Sequence, residues 1–170
     1  AIYTVGTVND TVYQYTLSTA YDVSTASYAS KSFSVASQAI VPRDIQFKTD
    51  GTVMFIADGE TDTIYQYTLS TAFDVSTASY ASKSFSVNSQ EANIHGMAFK
   101  SDGTKLYVIG TTSDTIYQYT LSTAWDISTA SYDSKSFSVN SKDGTPSGVA
   151  LNDDGTKIFV SGYANDKVYL

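Results

Sequence analysis

Apolar and polar side chains alternate with a period of two in short stretches of this chain, and polar turns separate these stretches at regular intervals. That period puts successive side chains on opposite faces of an extended strand. Asp44 to Lys48 alternates, Thr49-Asp50-Gly51 supplies a tight turn, and Val53 to Ala57 is a β-branched and apolar run. The pattern predicts a hairpin. A second turn, Asp58 to Thr61, leads into Ile64 to Leu69, where Tyr65, Tyr67 and Leu69 fall on one face. After a longer connection from Ser70 to Tyr80, Ser82 to Val87 alternates strictly and reads as a half-exposed edge strand. These four strands are termed A to D.

The set recurs. A block of 26 residues occurs at Asp10–Val35, Asp62–Val87 and Asp114–Val139 with a constant spacing of 52, and its first two copies differ only at Val12/Ile64 and Tyr21/Phe73. An array with that spacing buries the apolar face of each unit against the next. Four short strands per unit without helical periodicity describe a blade, so the expected fold is all-β, a β-propeller segment of four-stranded antiparallel blades. Residues 1–170 are expected to form one array, with a partial blade at 1–35, blades at 36–87 and 88–139, and a partial blade at 140–170. Ile2 to Gly6 corresponds to strand B and Lys167 to Leu170 to strand C, so the expected order is B-C-D, two full sets, then A-B-C. An open arc would expose apolar blade faces, and completion by self-association or by further blades is expected. The absence of an initiator Met points to processing or to excision from something longer.

Ser101-Asp-Gly-Thr-Lys-Leu-Tyr-Val-Ile-Gly110 followed by Asp114-Thr-Ile-Tyr-Gln-Tyr119 resembles the repeats of bacterial lactonase-like, YVTN and NHL-type β-propellers. The resemblance spans every unit and implies the fold. Gluconolactonase-like members are understood to hold a divalent cation with carboxylates and amides near the central channel. This chain does not match that pattern residue by residue, since Asp44 is replaced by Gly96 and Gly148 in the other units.

Composition narrows the function. The net charge is −7, with ten Lys plus Arg that nowhere form a basic stripe, which argues against a nucleic-acid partner. No run approaches a membrane span, so membrane insertion is not expected. Without cysteine there is no disulfide, thiolate ligand or thiol nucleophile. Fourteen Tyr and eight Phe provide enough apolar surface for a core. No Gly-rich phosphate loop and no Gly-x-Ser-x-Gly occurs.

Differences between the copies gather in two places, the D-to-A connection (36–44, 88–96, 140–148) and the B-to-C turn (58–61, 110–113, 162–165). In an antiparallel blade both emerge on one rim, while the constant A-to-B turn and C-to-D segment share the other. Loop drift alone predicts variation in the C-to-D segment as well, where there is little, so the divergent rim is the candidate binding face. Its candidate residues are Arg43, Asp44, Glu60, Asn93, His95, Thr112, Thr145, Ser147 and Tyr163. His95 aligns with Arg43 and Ser147; with no second His or carboxylate pair at aligned positions, it reads as a surface histidine rather than an acid–base catalyst.

Tyr21, Phe73 and Trp125 share one position in the C-to-D segment and read as core or subcore packing, with sugar stacking as the alternative. Asp22, Asp74 and Asp126, one per blade, read as Asx-turn acceptors rather than calcium ligands, and so do Asp10, Asp62, Asp114 and Asp166 before strand C. Neither a cofactor nor a metal is expected. The function expected from the sequence is noncatalytic: an extracellular or surface-exposed scaffold, bacterial or phage, that recognises a glycan or a protein surface through its variable rim. The alternatives are a structural filament or surface-layer protein and a lactonase-like hydrolase.

Overall fold

The computed structural model describes residues 1–170 as four consecutive antiparallel sheets. The first contains β1 (Ile2–Thr4), β2 (Thr11–Leu17) and β3 (Ala26–Ser34). The second contains β4 (Pro42–Phe47), β5 (Val53–Asp58), β6 (Thr63–Leu69) and β7 (Ala78–Ser86). The third contains β8 (Ile94–Phe99), β9 (Lys105–Gly110), β10 (Thr115–Leu121) and β11 (Ala130–Ser138). The fourth contains β12 (Pro146–Leu151), β13 (Ile158–Gly162) and β14 (Lys167–Tyr169). Strands follow chain order within each sheet, as up-and-down blades require. β4, β8 and β12 lie side by side, which makes them the inner strands of a propeller segment, with β3, β7 and β11 outermost.

The core lies between sheets. Tyr67 and Leu69 of β6 join Met54 and Ile56 of β5 against Val12 and Val35 of the first sheet. The opposite side of the same two strands sends Phe55, Ala57 and Ile64 against Leu106, Tyr119 and Ile127 of the third sheet. A period of two thus feeds two interfaces at once. Tyr65 shares the face of Tyr67 and Leu69 as expected, but it is half-buried, whereas Tyr67 and Tyr119 are wholly enclosed. Burial raises the pKa of both enclosed phenols, and neighbouring tyrosines add to the effect.

Polar clasps repeat at the first two of the three junctions. Gln14 accepts from the Val75 backbone N–H at 3.1 Å, and Gln66 accepts from that of Ile127 at 2.9 Å. Lys31 pairs with Asp74 and Lys83 with Asp126, each at 2.6 Å. The same aspartates accept from Ser76 N and Ser128 N and so cap the 3-10 turns Val75–Thr77 and Ile127–Thr129, the Asx role expected of them.

Three local expectations are corrected. The outermost strand of the second sheet starts at Ala78 rather than Ser82, because Ala78, Ser79 and Tyr80 pair with Leu69, Thr68 and Tyr67 before a register shift. Ser82 has φ +56° in this bulged stretch, and a bulge bends an exposed edge away from flat pairing. The inner strand starts two residues earlier than expected, at Pro42, a position where a strand tolerates proline. Finally, the shared aromatic position is not uniformly core. Trp125 alone packs against the core, on Gly103 near Phe55 and Phe99; Phe73 lies on Gly51 near Phe47 but stays 42% exposed, and Tyr21 is fully exposed because the first sheet has no inner strand and no A-to-B turn to receive it.

Candidate functional site

Each inner strand carries one bulge, at the same repeat position. Pro42 pairs with Asp58 and Asp44 with Ala57, so Arg43 is the extra residue of β4. Ile94 pairs with Gly110 and Gly96 with Ile109, leaving His95 as the extra residue of β8. Pro146 pairs with Gly162 and Gly148 with Ser161, leaving Ser147 extra in β12. A bulge re-aims the side chain it carries and is over-represented beside active sites. Three neighbouring strands therefore present an arginine, a histidine and a serine at equivalent points, and the first two are the chain's only Arg and only His.

Glycines let these strands crowd together. A Cβ at Gly96 would lie 3.0 Å from the Gly148 Cα and 3.1 Å from the Ser147 carbonyl oxygen, so β8 and β12 touch backbone to backbone beside His95. A Cβ at Gly59 would lie 2.9 Å from Arg43 Nε and 3.2 Å from the carbonyl oxygen of Ile94, the residue before His95. Arg43 is exposed and makes no salt bridge, while His95 is half-buried. Burial lowers the pKa of His95 below its ordinary 6.5; the charge of Arg43 lowers it further and Glu91 opposes both. The imidazole is therefore mostly neutral at pH 7 and able to accept a proton. His95 is thus not the isolated surface histidine expected from the sequence.

Asp44 has a different task. Its carboxylate accepts from the backbone N–H of Ile45 at 2.7 Å and, across the strand boundary, from that of Met97 at 2.8 Å. Burial raises its pKa against the pull of these bonds. Asn93 donates through Nδ2 to Thr111 Oγ1 at 2.9 Å, Thr145 donates its N–H to Asp143 at 2.9 Å, and Ser147 Oγ donates to the Ser161 carbonyl at 3.4 Å. Glu60, Thr112 and Tyr163 are exposed on the B-to-C turns, with Tyr163 at 69% of its free surface. The structure therefore brings Arg43, Asp44, His95 and Ser147 together on the inner strands and leaves Glu60, Thr112 and Tyr163 on the turns.

Much of the rim's divergence is a buried lock that sequence reasoning missed. In the second sheet Asp58, at the end of strand B, accepts from Val41 N, Thr61 N and Thr61 Oγ1. In the third, Gly110 takes the place of Asp58, and the carboxylate comes from Glu91 in the D-to-A loop, which accepts from Asn93 N, Thr112 N, Ser113 N and Ser113 Oγ. In the fourth, Gly162 pairs in the same way with Asp143, which accepts from Thr145 N, Ala164 N and Asn165 N. A Cβ at Gly110 would sit 2.6 Å from Glu91 Cγ, and one at Gly162 would sit 2.4 Å from Asp143 Cγ, so the acid and the side chain at the strand end exclude each other. The signal was present in the sequence as Ala39/Glu91/Asp143 set against Asp58/Gly110/Gly162.

A related substitution leaves two polar atoms without partners. Asp62 Oδ1 accepts from Ile94 N at 3.2 Å, but the equivalent residues opposite Asp10 and Asp114 are Pro42 and Pro146, which have no N–H. Asp10 Oδ1 and Asp114 Oδ1 are accordingly buried without a partner. No three His, Cys, Asp or Glu side chains gather as a metal-holding group. With Asp44 and Glu91 already occupied by backbone N–H groups, the residues of this rim do not fit the divalent cation that gluconolactonase-like propellers are understood to hold. A cleft of about 390 Å³ opens at the opposite end of the inner strands, lined among others by Phe99, Tyr107, Leu151 and Asn152, and none of the bulged residues borders it.

No protein family signature matches the chain, and no curated protein matches it. Solved structures do. A putative 6-phosphogluconolactonase from Bacteroides uniformis superposes with a TM-score of 0.61 at 15% identity, covering 96% of this chain and 50% of that one. The periplasmic gluconolactonase PpgL of Pseudomonas aeruginosa gives 0.59 at 11% identity over 98% of this chain and 47% of its own. The β-propeller domain of Cps50 (Swd1) from Myceliophteria thermophila gives 0.57 at 12% identity over 98% and 48%. The chain spans about half the length of the propellers it matches. The likeness supports the propeller fold and singles out neither the YVTN nor the NHL type.

The expectation that the protein is not an enzyme is corrected: two of these three neighbours are named as lactonases, so the fold it shares with them gives that expectation no support. The physical reason for the error is specific. Catalytic partners were sought at repeat-equivalent positions, as a second histidine or a matched carboxylate. A propeller rim instead gathers unlike residues from successive blades, here Arg43 and His95 with Glu91 close enough to bias the imidazole.

Proposed function

We propose that these blades belong to a lactonase-like hydrolase that opens a sugar-derived lactone, the cyclic ester of a polyhydroxy acid, at the rim formed by the inner-strand bulges. One observation carries the reading: the chain's only arginine and only histidine occupy equivalent bulges on adjacent inner strands, within electrostatic reach of each other. The neighbours named as lactonases add support from the scaffold.

In this reading neutral His95 takes a proton from water as its oxygen attacks the lactone carbonyl, and the resulting imidazolium returns that proton to the ring oxygen as the ester bond breaks. General-base assistance of this kind contributes about 10²- to 10⁴-fold. The guanidinium of Arg43, exposed and without a salt bridge, is free to turn toward the carbonyl oxygen and stabilise the negative charge that develops there. Asn93, Thr111, Thr112, Thr145 and Ser147 give the rim amide and hydroxyl groups suited to the hydroxyls of such a substrate.

The test is hydrolysis of glucono-δ-lactone and of its 6-phosphate by the full chain, followed as acid release above the spontaneous rate. The reading predicts turnover that falls about 100-fold or more in His95→Ala and also falls in Arg43→Ala. Release at the spontaneous rate with both lactones, from protein that retains its β-sheet spectrum, would refute it.

A further inference from the structure

The segment that carries His95 is held differently from its two repeat equivalents. Glu91, wholly buried, binds the N–H of Asn93 at 3.1 Å and, from the facing turn, the N–H groups of Thr112 at 2.9 Å and Ser113 at 3.2 Å. Asp62 binds Ile94 N at 3.2 Å. Asp44 reaches from the neighbouring strand to bind Met97 N at 2.8 Å. Three carboxylates therefore bracket His95, at the residues two before, one before and two after it.

Neither equivalent segment has all three. Around Arg43, the Asp58 carboxylate holds Val41, but Pro42 offers no N–H and Ile45 is bound only by its own neighbour Asp44. Around Ser147, the Asp143 carboxylate holds Thr145, Pro146 again offers no N–H, and the residue aligned with Asp44 is Gly96, which has no side chain to reach β12. Withdrawing a carboxylate from water is costly unless it is well bonded. Drift in ordinary loops gives no reason for all three to collect on the strand that bears the only imidazole.

We infer that Glu91 and Asp44 are positioning residues for His95, clamping its backbone from the loop side and from the neighbouring strand so that the bulged imidazole keeps one orientation. The inference rests on the hydrolase reading for its purpose, since a proton acceptor must be held close to its productive geometry. The charged groups around the imidazole are Arg43 on β4, Glu91 on its own loop, Asp62, which binds the residue before it, and Asp44, which faces the strand two residues on. No charge comes from β12, whose bulged residue is Ser147.

Because His95 is the only histidine, its imidazole gives a single pair of carbon-bound proton resonances, readable with or without turnover. The experiment is an NMR pH titration of that ring in the full chain, for the native protein and for Glu91→Gln, Glu91→Asp, Asp44→Asn and, on the opposite rim, Asp74→Asn. The clamp predicts that Glu91→Gln moves the titration midpoint to lower pH, because the charge favouring imidazolium is gone. Asp44→Asn displaces the ring resonances, Glu91→Asp stays near the native titration, and Asp74→Asn leaves the ring untouched. On the lactone, kcat should fall about 10- to 100-fold in Glu91→Gln and Asp44→Asn, as expected for a displacement of about 1 Å, with KM nearly unchanged. Native-like resonances and midpoint in both Glu91→Gln and Asp44→Asn overturn the clamp. If the native protein fails to open a lactone, the hydrolase reading falls, and the NMR arms still decide the clamp.

Discussion

Exchanging the buried acid between its two positions probes how this rim is built. In the third sheet the acid is Glu91 opposite Gly110; in the second it is Asp58 opposite Ala39. Glu91→Ala leaves the N–H groups of Asn93, Thr112 and Ser113 without their acceptor. Since water reaches part of this turn, each loss is worth about 1 kcal/mol, or about 3 kcal/mol in all. Gly110→Asp alone puts a Cβ 2.1 Å from the Asn93 carbonyl oxygen and 2.6 Å from the Glu91 side chain, and adds a second carboxylate beside the first. Overpacking with like-charge repulsion costs about 3 kcal/mol. The double variant Glu91→Ala/Gly110→Asp reproduces the second sheet's arrangement, in which Asp58 serves Val41 N and Thr61 N. It removes the clash with the Glu91 side chain but leaves the new Cβ 2.1 Å from the Asn93 carbonyl oxygen, so it should lose about 3 kcal/mol rather than the sum of about 6 kcal/mol, whereas independent sites add to within about 0.5 kcal/mol. Urea denaturation followed by the fluorescence of Trp125, the only tryptophan, measures all three. A double variant whose loss equals the sum of the single losses would show that the two positions are not one lock.

Two further predictions follow from the packing and the charges. Tyr67→Ala empties a wholly buried ring position and should cost about 3 to 5 kcal/mol, whereas Tyr65→Ala, on a half-buried ring, should cost less; equal losses in urea would mean the sheet interface is drawn wrongly. Acid stability has a calculable sign. Lys48 and Thr52 hold Asp50 down at about 2 from 3.8, and at Asp133 the bonds from Thr120, Lys105 and Gln118 outweigh the upward push of burial to give about 2 as well. Groups with a depressed folded pKa stabilise above the unfolded value and lose that contribution as pH falls toward the folded one. The urea midpoint should therefore decline between about pH 4 and pH 2, and Asp133→Asn should flatten the decline; a profile unchanged by Asp133→Asn would contradict the assignment.

The strands were legible in two ways: β5, packed on both sides, reads as a continuous apolar run, while strands that keep a polar face, such as β7, alternate with a period of two. The bulges were not, since the phase break they impose falls at the very start of each inner strand, inside the variable stretch, with too few apolar positions before it to show the shift. They shape the candidate site all the same, by leaving Arg43, His95 and Ser147 unpaired in the ladder. The early start of β7 was hidden by Ala78-Ser79, which has no strand signature and is recruited by pairing with Leu69 and Thr68. Tyr21 was misplaced because identical sequence does not guarantee identical surroundings: its ring lacks the glycine turn that Phe73 and Trp125 rest on. The divergent rim was visible in the sequence as the place where the copies differ. Its cause is divided between a lock that moved between two positions and a small group of unlike residues at equivalent bulges.

The measurement that bears most directly on this account is the pH dependence of kcat/KM for lactone opening, set beside the NMR titration of His95 in the same protein. The account predicts turnover that rises with pH along a limb whose midpoint coincides with the His95 titration, below 6.5, because burial and Arg43 both disfavour the imidazolium. Absence of turnover, or a limb whose midpoint does not follow His95 when Arg43→Ala raises the imidazole pKa, would contradict it.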